Sequence, residues 1–180
     1  MTPTFETLSQ WRRSAYCAAL TQLNINHIIL FSELNEQNPK PAQKLLNKVW
    51  SFLEGELKSL DNLERFFNEF DQWQNQLLKE LDSFGAMAAQ QACQSLYSAA
   101  YALLDESAND CELVYKSLQQ LLADMEEMGA ETEELLQQQQ AFDTQLIELL
   151  TSGKPKRETI QAVRKLSSQG KASSLGIELD

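Results

Sequence analysis

The chain has 180 residues, 43% of them apolar, and a formal net charge of −11 at pH 7. This length suits a single domain, and the apolar content is sufficient for a core and too high for a disordered protein. Only 6 glycines and 4 prolines occur, which argues against an all-β fold with its many turns, and the absence of any run of about 18 apolar residues argues against a membrane span.

Apolar residues recur at steps of three and four along nearly the whole chain, and this spacing predicts helices. In chain order, the predicted helices cover about residues 3–23, 27–36, 41–58, 62–78, 84–106, 109–129, 132–151 and 155–169. Thr2 is the predicted cap of the first helix, and Asp61 and Asn109 each begin a capping box with the glutamate three residues later. Gly129 provides a left-handed end for the sixth helix.

The predicted helix over residues 84–106 is apolar on almost every side and rich in alanine. Such a helix cannot lie on a surface, because other helices must cover all of its faces. We therefore predict an all-α protein: a single compact bundle of seven or eight helices around this central small-residue helix. The helical domain is expected to cover residues 1–172, and residues 173–180 are expected to form a C-terminal tail.

The three cysteines, Cys17, Cys93 and Cys111, are an odd number, and none forms a C-x-x-C pair. This pattern indicates reduced, buried thiols. The first residues also lack the basic and apolar regions of a secretion signal, so we expect a cytoplasmic protein.

Charge is distributed unevenly along the chain. Residues 84–152 contain twelve acids and one base, whereas residues 153–180 contain six bases and three acids. The acidic part either attracts a basic partner or serves solubility. The last predicted helix is basic, as is Lys171. This basic part could bind the acidic part, either within the same chain or in a second copy. The overall acidity argues against binding to nucleic acid.

Motifs for catalysis and cofactor binding are missing from the chain. His27 is its only histidine, and the sequence contains neither a phosphate-binding glycine loop nor a G-x-S-x-G nucleophile motif. Glu131 and Glu134 lie one helical turn apart, but only Asp143 and Glu148 follow, at the wrong spacing for a second acidic pair. We therefore predict no metal and no cofactor, and the sequence leans away from an enzyme.

Polar residues within the central helix are the best candidates for a site. Together with the lone histidine, they suggest the floor of a pocket between helices, formed by His27, Gln91, Gln94 and Ser95. The alternative is an exposed polar strip or a structural network of hydrogen bonds. Arg12 likewise leaves two alternatives open, a buried pair with a carboxylate or a solvated side chain.

The order of several short segments resembles the bacterial YjaG-like family, domain-of-unknown-function family 416. The segments that carry the resemblance are Leu8-x-x-Trp11, Leu45-Leu46 to Trp50, Leu63-Glu64-Arg65-Phe66, Ala89 to Leu96, and Ser173-Ser174-Leu175-Gly176-Ile177, which is similar to the family's closing Ser-Asn-Ile-Gly. The resemblance implies an all-helical single domain from a bacterial cytoplasm and no assigned activity. Gln91 stands where the family has an acid, and Asn26-His27-Ile28 departs from its Arg-x-x-Pro-Asn-Tyr, so a shared site would be altered here.

The sequence therefore favours a non-enzymatic interaction or regulatory protein, acting on a protein partner or by self-association. The alternative is a small-ligand-binding protein or hydrolase that uses the polar pocket between helices. No membrane or nucleic-acid partner is expected.

Overall fold

The computed structural model describes residues 3–170 and 172–179. Within them the chain forms seven α-helices, and the sole β-type pairing is an isolated antiparallel bridge between Ala172 and Glu178. The helices are α1 (Gln10–Leu34), α2 (Lys40–Leu53), α3 (Leu60–Leu77), α4 (Phe84–Leu104), α5 (Cys111–Glu127), α6 (Glu133–Leu150) and α7 (Lys156–Ser168). The all-α prediction is confirmed. Thr2, the predicted cap, and Lys171 lie outside the described residues.

The centre of the bundle is a pair of helices, α1 and α4, which make the most extensive contact in the molecule. α4 is buried along nearly its whole length, as its composition predicts. α1 is equally central, since it also contacts α2, α5, α6 and α7. Small side chains on both helices allow close packing, and Ser14 Oγ donates a hydrogen bond of 2.7 Å to the carbonyl of Ala99 on α4.

The prediction of two helices at the amino-terminal end is wrong about where the first helix begins and correct about where the helical geometry is interrupted. Helix α1 begins at Gln10 and not at Pro3, because Phe5 and Leu8 reach the core from an irregular segment that packs on Tyr16. The break expected between residues 23 and 27 is present as a kink at Asn24, which has non-helical angles (φ −112°, ψ 15°) and joins two helical stretches of α1. Apolar side chains can have the same spacing in the sequence whether they belong to a turn or to a helix. The spacing of Phe5 and Leu8 therefore did not distinguish these two structures.

Helix ends follow local chemistry that was predicted correctly only in part. Ser59, and not Asp61, caps α3 by accepting from the Asn62 amide at 3.1 Å. Asn109 caps nothing: its side chain donates to the Phe5 carbonyl at 3.3 Å, and Asp110 precedes the first residue of α5. Gly129 lies just past α5 with φ 93°, as predicted, in the left-handed region that glycine adopts without strain.

The outer helices pack as pairs, α2 with α3 and α6 with α7. Arg12 fixes α6 to α1, because its Nε donates to the Leu150 carbonyl at 2.8 Å at the end of α6. Neither alternative considered for Arg12 is therefore the observed one. None of the helices within the described ranges has both the length and the apolar character needed to cross a membrane.

All three cysteines are buried and unbridged, as predicted. Cys17 and Cys111 face each other across α1 and α5, with their sulfur atoms 4.0 Å apart.

Candidate functional site

The polar residues predicted to form a pocket point toward different neighbours. Gln91 is buried against α5, where its amide nitrogen lies 3.2 Å from Ser117 Oγ. Ser95 is buried against α1, where it lies 3.0 Å from Thr21 Oγ1 and donates within α4 to the Ala92 carbonyl. These contacts form hydrogen-bonded links between helices, so Gln91 and Ser95 do not open onto one cavity.

Gln94 lies on a third side of α4, half-buried beneath α3. It lines a shallow surface hollow together with Gln74, Gln90 and Tyr97. The hollow is polar and open to solvent, and neither Gln91 nor Ser95 belongs to its lining. The structure therefore separates Gln94 from the other two polar residues of the predicted site.

His27 lies on α1 and holds the carboxy-terminal segment, in an arrangement that we call the tail clasp: Asn24, Asn26 and His27 with residues 173–177. His27 Nε2 is 2.7 Å from Ser173 Oγ. The same oxygen accepts from the amides of Leu175 (3.2 Å) and Ile177 (3.1 Å). Because its two lone pairs are used, the Ser173 hydroxyl must donate its proton to His27.

Two further bonds complete the tail clasp. Asn24, at the kink of α1, accepts from the Ser174 amide at 2.8 Å, and Asn26 donates to the Ile177 carbonyl at 3.2 Å. Leu175 is buried in the same core as α1. The kink thus places three polar side chains of α1 along one short segment of backbone. The predicted chain division at residue 172 stays a prediction.

Burial lowers the pKa of His27 to about 4, so the imidazole is neutral at pH 7. Its ring is only 3% exposed, and its Nδ1 has no hydrogen-bond partner among the described residues. A base this weak and this enclosed is suited to holding Ser173 in place. Its contacts are those of a positioning residue for the tail clasp.

A groove at the surface, between the start of α4 and the end of α5, contains the largest group of exposed apolar side chains. We call it the α4–α5 groove; it measures about 620 Å³ and is lined by Leu81, Asp82, Ser83, Phe84, Met87, Asp124, Glu127 and Met128. Leu81, Met87 and Met128 are 44%, 40% and 63% exposed. They make up half of the large apolar residues that are exposed in the described chain.

Helix ends position these side chains. Ser83 caps α4 by accepting from the Ala86 amide at 3.1 Å, which places Phe84 and Met87 one turn apart on the same side. At the other wall, α5 ends at Glu127, and the exposed Met128 lies between its last residue and Gly129. The groove is therefore built from two helix termini that the capping residues define.

The rim of the α4–α5 groove is acidic. Asp82, Asp124 and Glu127 line it, and the lining includes no lysine or arginine. Glu126, beside Glu127, faces a neighbouring hollow whose lining holds three further glutamates. The arrangement combines a group of apolar side chains with a negative field. The described residues contain no group of three or more histidine, cysteine or carboxylate side chains placed to hold a metal ion.

Sequence reasoning missed the α4–α5 groove because its apolar residues come from a loop and two helix ends. Met87 was counted among the residues that make α4 apolar on all sides, whereas it is one of the few on α4 that face solvent. The available signal was Met128, which stands directly before the helix-ending glycine, outside any helical stripe.

Comparison with known proteins gives a consistent family and fold. A family model described as "Protein of unknown function (DUF416)" matches residues 2–178. A crystal structure of a DUF416 family protein from Shewanella baltica OS155 has a TM-score of 0.80, with 18% identity over 99% of this chain and 100% of that one. At that identity the likeness shows the shared all-helical fold.

A sequence relative gives the same result at lower coverage. An uncharacterised protein from Haemophilus influenzae is 28% identical over 110 residues, which span 55% of this chain and 50% of the relative. The match thus covers about half the length of that relative. No activity or ligand accompanies either similarity.

Proposed function

The chain belongs to the DUF416 family of unknown function, and because membership assigns no activity, we propose a function from the surface itself. The protein acts as a non-enzymatic interaction protein. Its α4–α5 groove binds a basic, amphipathic segment of another protein. The observation that carries this proposal is the cluster of Leu81, Met87 and Met128 in solvent inside an acidic rim.

The apolar side chains of the groove indicate a binding site for a partner. Single exposed apolar side chains are ordinary on a protein surface, whereas a contiguous group of them is not. Leu81, Phe84, Met87 and Met128 line the same groove. Removing their apolar surface from water favours association by roughly 25 cal/mol for each Å² that a partner covers. A helix with apolar residues on one side can cover such a surface with its apolar face.

Charge and flexibility define the chemistry of the partner. Asp82, Asp124 and Glu127 favour lysine and arginine around an apolar stripe, and they disfavour acidic segments. Methionine side chains are unbranched and polarisable, so Met87 and Met128 adapt to different apolar shapes. The groove is thus suited to a basic amphipathic helix.

A second copy of this chain is the less suitable occupant. Its most basic helices are α2 and α7, where Lys40, Lys44, Lys156, Arg157 and Lys165 are exposed. The apolar residues of α2, among them Leu45 and Val49, are buried in the chain's own core. The apolar side of α7 is already used, because Ile160 and Val163 are fully buried in the chain's own core. A second copy would therefore offer charge without an apolar stripe.

The alternative, a ligand-binding protein or hydrolase built on His27, Gln91, Gln94 and Ser95, lacks a common pocket. Gln91 and Ser95 bond to different helices, Gln94 lies at the surface, and His27 is engaged with Ser173. The interaction proposal needs no such convergence.

The test is binding of a fluorescent, helix-forming peptide of leucine and lysine, with leucine on one side only, followed by anisotropy at low and physiological salt. We expect saturable binding that the double variant Met87→Ser/Met128→Ser weakens at least about tenfold, because a few central apolar contacts dominate such interfaces. A scrambled peptide of the same composition, without the apolar stripe, should bind no better to wild type than to the variant.

The matched control is Leu34→Ser, which removes an 81% exposed leucine that does not line the groove. Equal weakening by Leu34→Ser, or equal binding by the double variant, would refute the proposal. Sedimentation of the free protein tests whether the occupant of the groove is a foreign partner or a second copy of this chain. A dimer that the double variant dissociates would identify a second copy as the occupant and overturn the choice of a foreign partner.

A further inference from the structure

A second cavity, separate from the α4–α5 groove, lies between the amino-terminal segment, α5 and α6. It measures about 440 Å³, and the lining residues that matter here are Pro3, Tyr115, Asp143, Thr144, Ile147 and Glu148. Its walls combine an aromatic ring, aliphatic carbon and two carboxylates. This combination differs from that of the groove, where the acids form only the rim.

Asp143 is the unusual member of this cavity, because it is 5% exposed although it carries a carboxylate. It lies on the buried stripe of α6, followed at helical spacing by Leu146 and Leu150. Its Oδ1 accepts a hydrogen bond of 3.1 Å from Gln139, which is itself buried. Carboxylates are almost never buried to this extent unless they are paired, and a neutral amide does not neutralise the charge.

Within the part of the chain that the structure describes, no lysine or arginine lines this cavity or forms an ion pair with Asp143. Tyr115 lines the same cavity from α5, and Tyr16 lies close by on α1. Burial raises the pKa of both phenols, and the nearby Asp143 charge raises it further. The Tyr16 hydroxyl is buried and has no partner among the described residues. Burial raises the pKa of Asp143 to about 7, which shows how poorly these neighbours stabilise the charged form.

From this geometry we infer that the cavity binds an alkylammonium group, with the Asp143 carboxylate as its counter-ion. The aliphatic chain would lie along Ile147 and Pro3, and the face of the Tyr115 ring would contribute a cation–π contact. Glu148, exposed on the same wall, is placed for a second positive charge. A free diamine and a lysine side chain offer the same chemistry.

The experiment is isothermal titration calorimetry at pH 8 with four probes: 1,4-diaminobutane, butylamine, N-acetyl-lysine methylamide and butan-1-ol. We expect the three amines to bind and the uncharged alcohol to be at least about tenfold weaker. Tighter binding of the diamine than of the lysine derivative assigns the site to free diamines, and the reverse order assigns it to lysine side chains. No binding by any amine overturns the inference.

Two variants locate the site. Asp143→Asn keeps the size of the side chain and removes its charge, and it should weaken amine binding at least about tenfold. Glu148→Gln, five residues further along α6, is the matched control, and it should weaken diamine binding by less and butylamine binding hardly at all. Amine binding that Asp143→Asn leaves unchanged would contradict the inference, and thermal unfolding of the free variants shows whether they are folded.

Proton linkage gives an independent readout. The titratable groups that face Asp143 are Tyr16, Tyr115 and Glu148, and the two phenols stay neutral throughout the tested range because their pKa values are raised. Amine affinity should therefore fall as pH decreases through about 7, and binding near pH 7 should release a proton, visible as a heat that depends on the buffer. Affinity that does not change between pH 8 and pH 6 would also refute the assignment. The outcome is independent of the groove, since no groove residue lines this cavity.

Discussion

The tail clasp and the α4–α5 groove place polar and apolar groups in opposite ways. In the tail clasp, Asn24, His27 and Ser173 are polar, buried and joined by hydrogen bonds of 2.7–3.2 Å to one another or to the backbone. In the groove, Leu81 and Met128 are apolar and remain in solvent. Each arrangement is unfavourable unless something compensates for it.

The compensation differs between the two regions. Most buried polar groups of the tail clasp find partners within the chain, which gives the region a structural explanation. Asn24 Nδ2, His27 Nδ1 and Ser174 Oγ have no partner among the described residues. The exposed apolar groups of the groove find none within the chain, and a partner from outside would be required to cover them. Interior polarity in the tail clasp therefore serves mainly the structure, whereas the exposed apolar side chains of the groove have no such role within the described chain.

The largest effect is expected from the tail clasp, for Leu175→Ala. Leu175 is 5% exposed and belongs to the main core, so its truncation should lower the free energy of unfolding by about 2–5 kcal/mol. Urea denaturation followed by circular dichroism measures the loss. A loss below about 0.5 kcal/mol would mean that residues 173–177 are not fixed to α1, and the contrast with the groove would disappear.

The second largest effect is expected from acidification, which should lower the free energy of unfolding through His27. The pKa of His27 is about 4 in the folded protein and about 6.5 in the unfolded chain. Above pH 6.5 the imidazole is therefore neutral in both states, and acid does not yet reduce the stability. As pH falls from about 6.5 to 4, only the unfolded state takes up the proton, and stability decreases by about 3 kcal/mol in total. The pair wild type and His27→Gln isolates this contribution.

The contribution of Asp143 to stability depends on pH in the opposite direction. The His27 contribution must therefore be measured as the difference between wild type and His27→Gln. Its folded pKa of about 7 exceeds the unfolded 3.8, so acidification from pH 7 to 4 favours the folded state. Wild type alone would show the two effects partly cancelled. The stability advantage of wild type over His27→Gln should shrink steadily below pH 6.5, and an advantage that is constant down to pH 4 would show that His27 is not buried as a neutral ring.

The fold could be predicted from the sequence because helix periodicity and composition are local signals. The run of alanines around Ala92 and Ala99 required a helix enclosed on all sides, and α4 is one. The start of α1 could not be predicted, because Phe5 and Leu8 keep helical spacing although a turn delivers them. The bend at Asn24 depends on the Ser174 amide, 150 residues away in the sequence.

The candidate site was less accessible to sequence reasoning for a related reason. His27, Gln91, Gln94 and Ser95 were grouped because each is polar in apolar surroundings, but the direction of each side chain depends on which helix lies opposite. Asp143 was noted only as failing an acidic spacing. Its position on the buried stripe of α6, four residues after Gln139, was the signal that would have singled it out.

The smallest effect on stability is expected from a substitution in the groove. It is the most direct test of the difference between the groove and the tail clasp. Met128→Ser removes a side chain that is 63% exposed and lies directly after the last residue of α5, so the free energy of unfolding should change by less than about 0.5 kcal/mol. Urea denaturation beside Leu175→Ala, under the same conditions, provides the contrast. A loss near that of Leu175→Ala would mean that Met128 stabilises the fold, and the groove would then need no partner to account for it. A negligible loss leaves its exposed apolar surface without a structural role, which is the property that distinguishes a docking surface from a core.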